Sequence, residues 1–251
     1  INSVLKQSYT NFEVIVVDDN GRGSKNQIDT YKKISDLLSR DDRIRYIVHD
    51  ENKNGSAARN TGIKHAKGKY ICFLDDDDEF LEDKLLRQYT LLERLGEDWV
   101  ACYTGHIRYF DNNVNKNYQY KPTIQGNILF EVLNFSVDAC SGSTLMIRKS
   151  LIPKVCGFNE NLKRHQDYEF LAKVAYYGKI AVISEPMVKI HVHEGSYRQK
   201  RYEDIEKTRL DYLKCIQPYL SKLTQSQQKK IRFVNNFWLL KRSLFHKKYT
   251  K

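Results

Sequence analysis

Short apolar runs and helix-spaced apolar residues take turns along the first hundred positions. Phe12 to Val17 is an apolar run ending in Asp18-Asp19-Asn20-Gly21, which predicts a strand closed by a turn. Residues 28–38 carry helical spacing, residues 44–48 form a second strand-like run, and 55–66 place Ala57, Ala58, Ile63 and Ala66 on a helical repeat. Gly68 closes that helix; 70–74 reads as a strand, 81–95 as an amphipathic helix and 99–103 as a further strand. This alternation predicts an α/β fold: a single, mostly parallel central sheet flanked by helices.

Beyond Tyr103 the rhythm changes. Residues 106–120 are polar and aromatic, with a turn at 111–113; 143–147 suits a strand and 151–155 a short helix. A helix over 167–177 carries Phe170, Leu171, Val174 and Ala175 inward, and 180–183 and 187–193 read as extended segments. Two helices, 202–216 and 225–245, complete a helical C-terminal extension. The expected division is therefore a catalytic domain over 1–200 and a basic extension over 201–251.

Composition narrows the picture. The 251 residues are 41% hydrophobic, ordinary for a globular protein, and no run approaches the ~18 apolar residues of a membrane span. Five cysteines without Cys-x-x-Cys spacing suggest small core residues in a reducing, cytoplasmic setting rather than a zinc site. A net charge of +11 favours anionic partners, and from Ser221 to Lys251 there is no acidic residue. Phe233, Phe237, Leu240 and Leu244 recur there at helical spacing among lysines and arginines. That pattern fits residues 225–251 lying on an anionic membrane, such as the inner face of a bacterial plasma membrane, and equally fits a helix packed on the domain.

Open α/β sheets bind ligands outside the carboxyl ends of their strands, where both acidic clusters fall. Asp75-Asp76-Asp77-Asp78 is four carboxylates in a row; a hard divalent cation bridging to phosphate would supply their counter-charge, and a solvated acidic turn is the alternative. Asp18 and Asp19 can receive donors from a base or ribose, or simply form the turn. Asn60 and Arg59 are weaker candidates. Asp167 either caps a helix or serves as a general base. His191 and His193 share one side of an extended segment, followed by Ser196 and Tyr197 in a possible phosphate-covering loop.

The ordered set resembles the family 2 glycosyltransferases. The similarity runs through Asn11-Phe12-Glu13-Val14-Ile15-Val16-Val17-Asp18-Asp19, Asn60-Thr61-Gly62 with Ala66-Lys67-Gly68-Lys69-Tyr70, and Phe73-Leu74-Asp75-Asp76-Asp77-Asp78. It continues through Gly157-Phe158-Asn159-Glu160 and Gln166-Asp167-Tyr168-Glu169-Phe170, covering roughly residues 1 to 200. The resemblance implies a GT-A fold and an inverting, metal-assisted transfer from a nucleotide-diphosphate sugar, usually UDP-linked, with Mn²⁺ or Mg²⁺. It implies a glycan or lipid-linked saccharide acceptor, as in polysaccharide or lipopolysaccharide synthesis. Asp19 then resembles the donor-base contact, with Asp18 and Asn60 beside the donor. Asp75-Asp76-Asp77 resembles the Asp-x-Asp motif, with Asp77 the direct metal ligand and Asp75 and Asp76 near the ribose and the metal's waters, Asp75 thus serving both donor and metal. Asp167 resembles the catalytic base and His193 the histidine of a closing loop. Gln166 replaces the family's usual glutamate, which removes a charge beside the base. The family begins with a strand and a Pro-x-Tyr-Asn-like segment that nothing before Ile1 supplies, so an absent first strand is expected.

Two other classes share some of these features. A metal-dependent nucleotidyltransferase would also cluster carboxylates, yet no glycine-rich basic donor loop is found. A noncatalytic nucleic-acid-binding module suits the charge but not the acidic strand ends, so no specific nucleic-acid partner is expected. A Rossmann oxidoreductase lacks its Gly-x-Gly-x-x-Gly.

Overall fold

The computed structural model describes residues 1–110, 113–138, 142–192 and 202–249. Its elements are α1 (Asn2–Leu5), β1 (Val14–Asp18), α2 (Lys25–Arg40), β2 (Ile44–Val48), α3 (Gly55–His65), β3 (Tyr70–Cys72), β4 (Glu79–Phe80) and α4 (Lys84–Arg94). There follow β5 (Trp99–Phe110), β6 (Tyr118–Tyr120), α5 (Leu129–Leu133), β7 (Met146–Arg148), α6 (Ile152–Val155), α7 (Gln166–Tyr177), β8 (Lys179–Val192), α8 (Tyr202–Ile216) and α9 (Gln225–Tyr249).

The α/β class is as expected, but the single, mostly parallel sheet is not. β1 and β2 pair in parallel as a two-stranded sheet, and six further strands form a second sheet in the order β3-β7-β5-β8-β4, with β6 beside β5. Among the described residues, parallel pairing is confined to β1–β2 and to the long β5–β8 pair; β3–β7, β5–β7, β4–β8 and β5–β6 are antiparallel. The cause is connectivity. Strict strand–helix alternation ends at Tyr103, and the strands added afterwards enter from loops and hairpins that reverse direction.

Two segments expected to be separate, 180–183 and 187–193, join as the single strand β8. Its register against β5 slips between Thr104 and Gly105, where Gly105 faces Pro186. A Cβ on Gly105 would lie 2.6 Å from the carbonyl oxygens of both Ser184 and Tyr120, so only glycine fits this bulge.

Two apolar clusters fill the faces of the larger sheet. The smaller gathers Phe80, Leu85, Leu92 and Val188 under α4. The larger gathers Phe73, Tyr103, Ile147, Phe158, Phe170 and Val174, and it also takes Tyr212, Ile216, Leu220 and Ile231 from the C-terminal helices. Each such buried side chain contributes roughly 1.5–3 kcal/mol. The C-terminal helices thus complete the main core instead of trailing from it.

Candidate active site

The site is welded together by aromatic rings. Phe158 stacks on Phe170 at 4.0 Å between centroids, and Phe73 meets both edge-on at 5.2 and 5.8 Å. Phe73 lies two residues before Asp75, Phe158 sits in the Gly157–Glu160 loop, and Phe170 is one helical turn past Asp167. One apolar contact therefore fixes three chemistry-bearing segments relative to one another.

Asn60 of α3 holds the middle segment. Its Nδ2 donates to the Phe158 carbonyl at 2.9 Å and to Glu160 at 2.7 Å, and its Oδ1 accepts from the Phe158 amide at 2.8 Å. Gly157 lies at φ 69°, and a Cβ there would be 2.4 Å from Asn60 Oδ1. The Asn60 amide is thus spent on the loop. Lys173 of α7 reaches the same loop at the Gly157 carbonyl, 2.9 Å, while pairing with buried Glu169 at 3.0 Å.

The two acidic strand ends differ. Asp18 is buried and accepts from Asn20 and from the Tyr46 hydroxyl at 2.5 Å. Tyr46 also lines an open groove of about 550 Å³ with Arg22, Gln27 and Tyr31. Asp19 accepts the backbone amides of Lys53 and Asn54, both at 2.8 Å, and meets His49 at 2.7 Å. The other His49 nitrogen reaches Thr61 of α3 at 2.8 Å. Asp19 therefore anchors the loop that leads into α3.

At the second end, Ser143 Oγ accepts from the Asp75 amide at 3.2 Å and donates to Asp78 at 2.6 Å, which turns Asp78 inward. Asp76 and Asp77 remain exposed. Asp75 receives Arg59 at 2.6 Å, and the same guanidinium stands 3.9 Å from Asp167 Oδ1. Burial pushes the Asp167 carboxyl above its ordinary range; Arg59 draws it back and Asp75 adds to the push. Oδ1 is buried without a hydrogen-bond partner. Asp167 does not cap α7, because it occupies the second helical position behind His165. One cation thus ties an aspartate of the Asp75–Asp78 turn to the carboxyl of Asp167.

Residues 1–156, more than half of the chain, match the model of the family described as glycosyl transferase family 2. The chain belongs to that family. Among its relatives, the amylovoran biosynthesis glycosyltransferase AmsB of Erwinia amylovora is 29% identical over 88% of this chain and 73% of its own length. The uncharacterized glycosyltransferase RP339 of Rickettsia prowazekii is 30% identical over 99% of this chain and 74% of its own. The crystal structure of S. aureus TarS superposes with a TM-score of 0.63 at 20% identity; the match covers 92% of this chain and 38% of TarS. The fold is GT-A-like and the chain is a glycosyltransferase.

Two residues of this candidate site in the glycosyltransferase escaped the sequence. Ser143 and His49 carry no motif, and their roles arise from contacts 65 and 30 residues away. His191 meets Glu79 at 3.1 Å. His193, with Ser196 and Tyr197, lies outside the described residues. Among the described residues no group of three or more His, Cys, Asp or Glu stands ready to hold a metal, and no helix is long and apolar enough to cross a membrane.

Proposed function

We propose that the enzyme transfers a sugar from a nucleotide-diphosphate donor, UDP-linked in the first instance, to a hydroxyl of a glycan or lipid-linked saccharide in polysaccharide synthesis. The observation that carries this reading is Arg59, which brings Asp75 and Asp167 to one place. AmsB, a relative along most of its length, supports the polysaccharide context.

In this reading Asp167 accepts the acceptor's proton as its oxygen attacks the anomeric carbon opposite the leaving diphosphate, which inverts that centre. Its burial raises the pKa of the carboxyl, so the carboxylate, once formed, takes a proton more readily. Arg59 is placed to meet negative charge on the donor phosphates. Asp77 and Asp75 would hold Mn²⁺ or Mg²⁺, because such ions commonly use one or two carboxylates and complete their shell with substrate phosphates and water. When bound, the ion would neutralise charge on the departing diphosphate. Asp18, Asp19, Asn60, Asp76 and His193 belong to the donor side of this proposal, Asp19 and Asn60 by shaping loops.

The test is donor hydrolysis with UDP-, GDP- and TDP-sugars, with and without Mn²⁺ or Mg²⁺. One donor should be hydrolysed in a metal-dependent way, and Asp167→Asn should retain donor binding while losing about 10²–10⁴-fold in rate. Near-normal turnover in that variant refutes the base assignment.

The proposal includes an anionic membrane as a partner, at the cytoplasmic face where a lipid-linked acceptor would be met. On α9, Phe233, Phe237, Leu240 and Leu244 are 56–67% exposed, while Ile231 and Asn235 are buried. At 3.6 residues per turn the exposed stripe lies opposite the buried one, flanked by Lys230 and Lys241 on one side and Arg232 on the other. Vesicles containing phosphatidylglycerol should bind the protein, and Phe237→Glu should release it. Equal binding by both proteins, or none by either, would remove the membrane from this account.

A further inference from the structure

α7 starts on a strained residue. Its N-cap, His165, lies at φ 61° and gives no side-chain cap, and Asp167 follows two residues later. A non-glycine residue stays in this region only when its surroundings hold it there. For His165 those surroundings are supplied largely by the C-terminal helices. Its ring packs 5.9 Å from Phe135 and 5.3 Å from Tyr212, and Arg209 of α8 places Nη1 3.5 Å from its Nε2.

Arg209 is unusual in its own right. It is 3% exposed, its guanidinium lies 4.3 Å from the Phe135 ring and 4.8 Å from that of Trp238 on α9, and its Nε has no hydrogen-bond partner. No carboxylate pairs with it among the described residues. A buried cation without a counter-charge is costly, and an apolar side chain of similar volume would serve packing better. Arginine can only donate, so the His165 Nε2 it meets is the accepting nitrogen and Nδ1 carries the proton. Burial, then Arg209 and Arg164, hold His165 down to about 4, which keeps that nitrogen accepting at neutral pH. The other charges described around this turn are Arg59 and Asp75, on the side of Asp167, and Glu169, whose amide bonds the His165 carbonyl and whose carboxylate pairs with Lys173 at 3.0 Å.

We propose that Arg209 is a positioning residue for sugar transfer: by donating to His165 it fixes the left-handed entry of α7, and through it the carboxylate of Asp167. The proposal rests on Asp167 as base. It makes α8 and α9, which lie beyond the residues matched by the family model, part of the catalytic apparatus.

The test is Arg209→Met in the full chain, assayed with the donor that the hydrolysis panel selects. Turnover should fall roughly tenfold or more through misplacement of the base. KM and binding of the corresponding nucleoside diphosphate should stay within about twofold, and Tm should hold or rise as a buried charge with no carboxylate partner among the described residues disappears. His165→Gln should show a similar loss, and the double variant should lose little more. Full turnover in Arg209→Met, additive losses in the double variant, or an equal loss of diphosphate binding would each overturn the proposal. If Arg209→Met does not fold, Arg209→Lys paired with His165→Gln decides by the same criterion. The imidazole ¹⁵N spectrum of His165 needs no turnover: it should titrate closer to ordinary histidine in the Arg209 variant, and an unchanged spectrum is contrary evidence. An Asp167→Asn enzyme with full turnover would instead remove the base reading itself.

Discussion

Asp19 and Asp75 follow similar strands in similar positions, and their carboxylates are held in different ways. Asp19 faces inward along its own loop: two backbone amides and His49 fill its lone pairs. Asp75 is met by a side-chain cation, Arg59, while Asp76 and Asp77 beside it stay exposed and Asp78 is drawn in by Ser143. Backbone amides are a fixed part of the fold, whereas an arginine can release a carboxylate to a ligand. The first arrangement therefore anchors a loop, and the second holds its carboxylate through a side chain that a ligand could displace.

The largest effect that could break this contrast comes from exchanging the damage. Asp77→Ala should lower metal-dependent turnover on the order of 10²–10³-fold, the scale of a lost electrostatic stabiliser, with Tm little changed. Asp19→Ala should instead cost about 1–3 kcal/mol of stability as the Lys53 and Asn54 amides lose their acceptor, which thermal unfolding reads directly. If Asp19→Ala leaves Tm untouched but abolishes donor binding, the two ends are equivalent donor contacts and the distinction drawn here is wrong.

That contrast also marks what a sequence can carry. Carboxylates at strand ends are legible because strand, turn and acidic run are local features, and Asp18, Asp19 and Asp75 to Asp78 stand where the pattern predicts strand ends. Asn60 was legible as a position, while its engagement with a loop a hundred residues away was not. Arg59 reads from sequence as either a surface residue or a phosphate partner, since nothing local shows that it will meet both Asp75 and Asp167. Strand direction is not legible for a similar reason. Helical crossovers reveal parallel pairs, but β7 and β4 take their direction from partners far along the chain. α5 escaped notice because five residues are too few to display a helical period.

A finer test of the Arg59 bridge uses pH. If Asp167 is the base, as proposed, activity should climb as pH rises through a value above the ordinary carboxylate range, because burial raises that carboxyl. Arg59 opposes the rise, so Arg59→Met should move the climbing limb to higher pH and Arg59→Lys should move it less. A limb that stays in place would mean that the 3.9 Å pair contributes nothing to the base. Stability follows with the opposite sense. A carboxyl whose pKa is raised by folding contributes stability below its unfolded pKa and loses that contribution as pH climbs through the folded value. Asp167→Asn should therefore unfold at a higher temperature than the parent above that window and at the same temperature below it. This effect is the smallest of the set, since Asp167 keeps 30% of its side chain exposed and solvent screens it. It is also the most discriminating, because a carboxylate whose only role is to pair with Arg59 would make the Asn variant less stable at neutral pH.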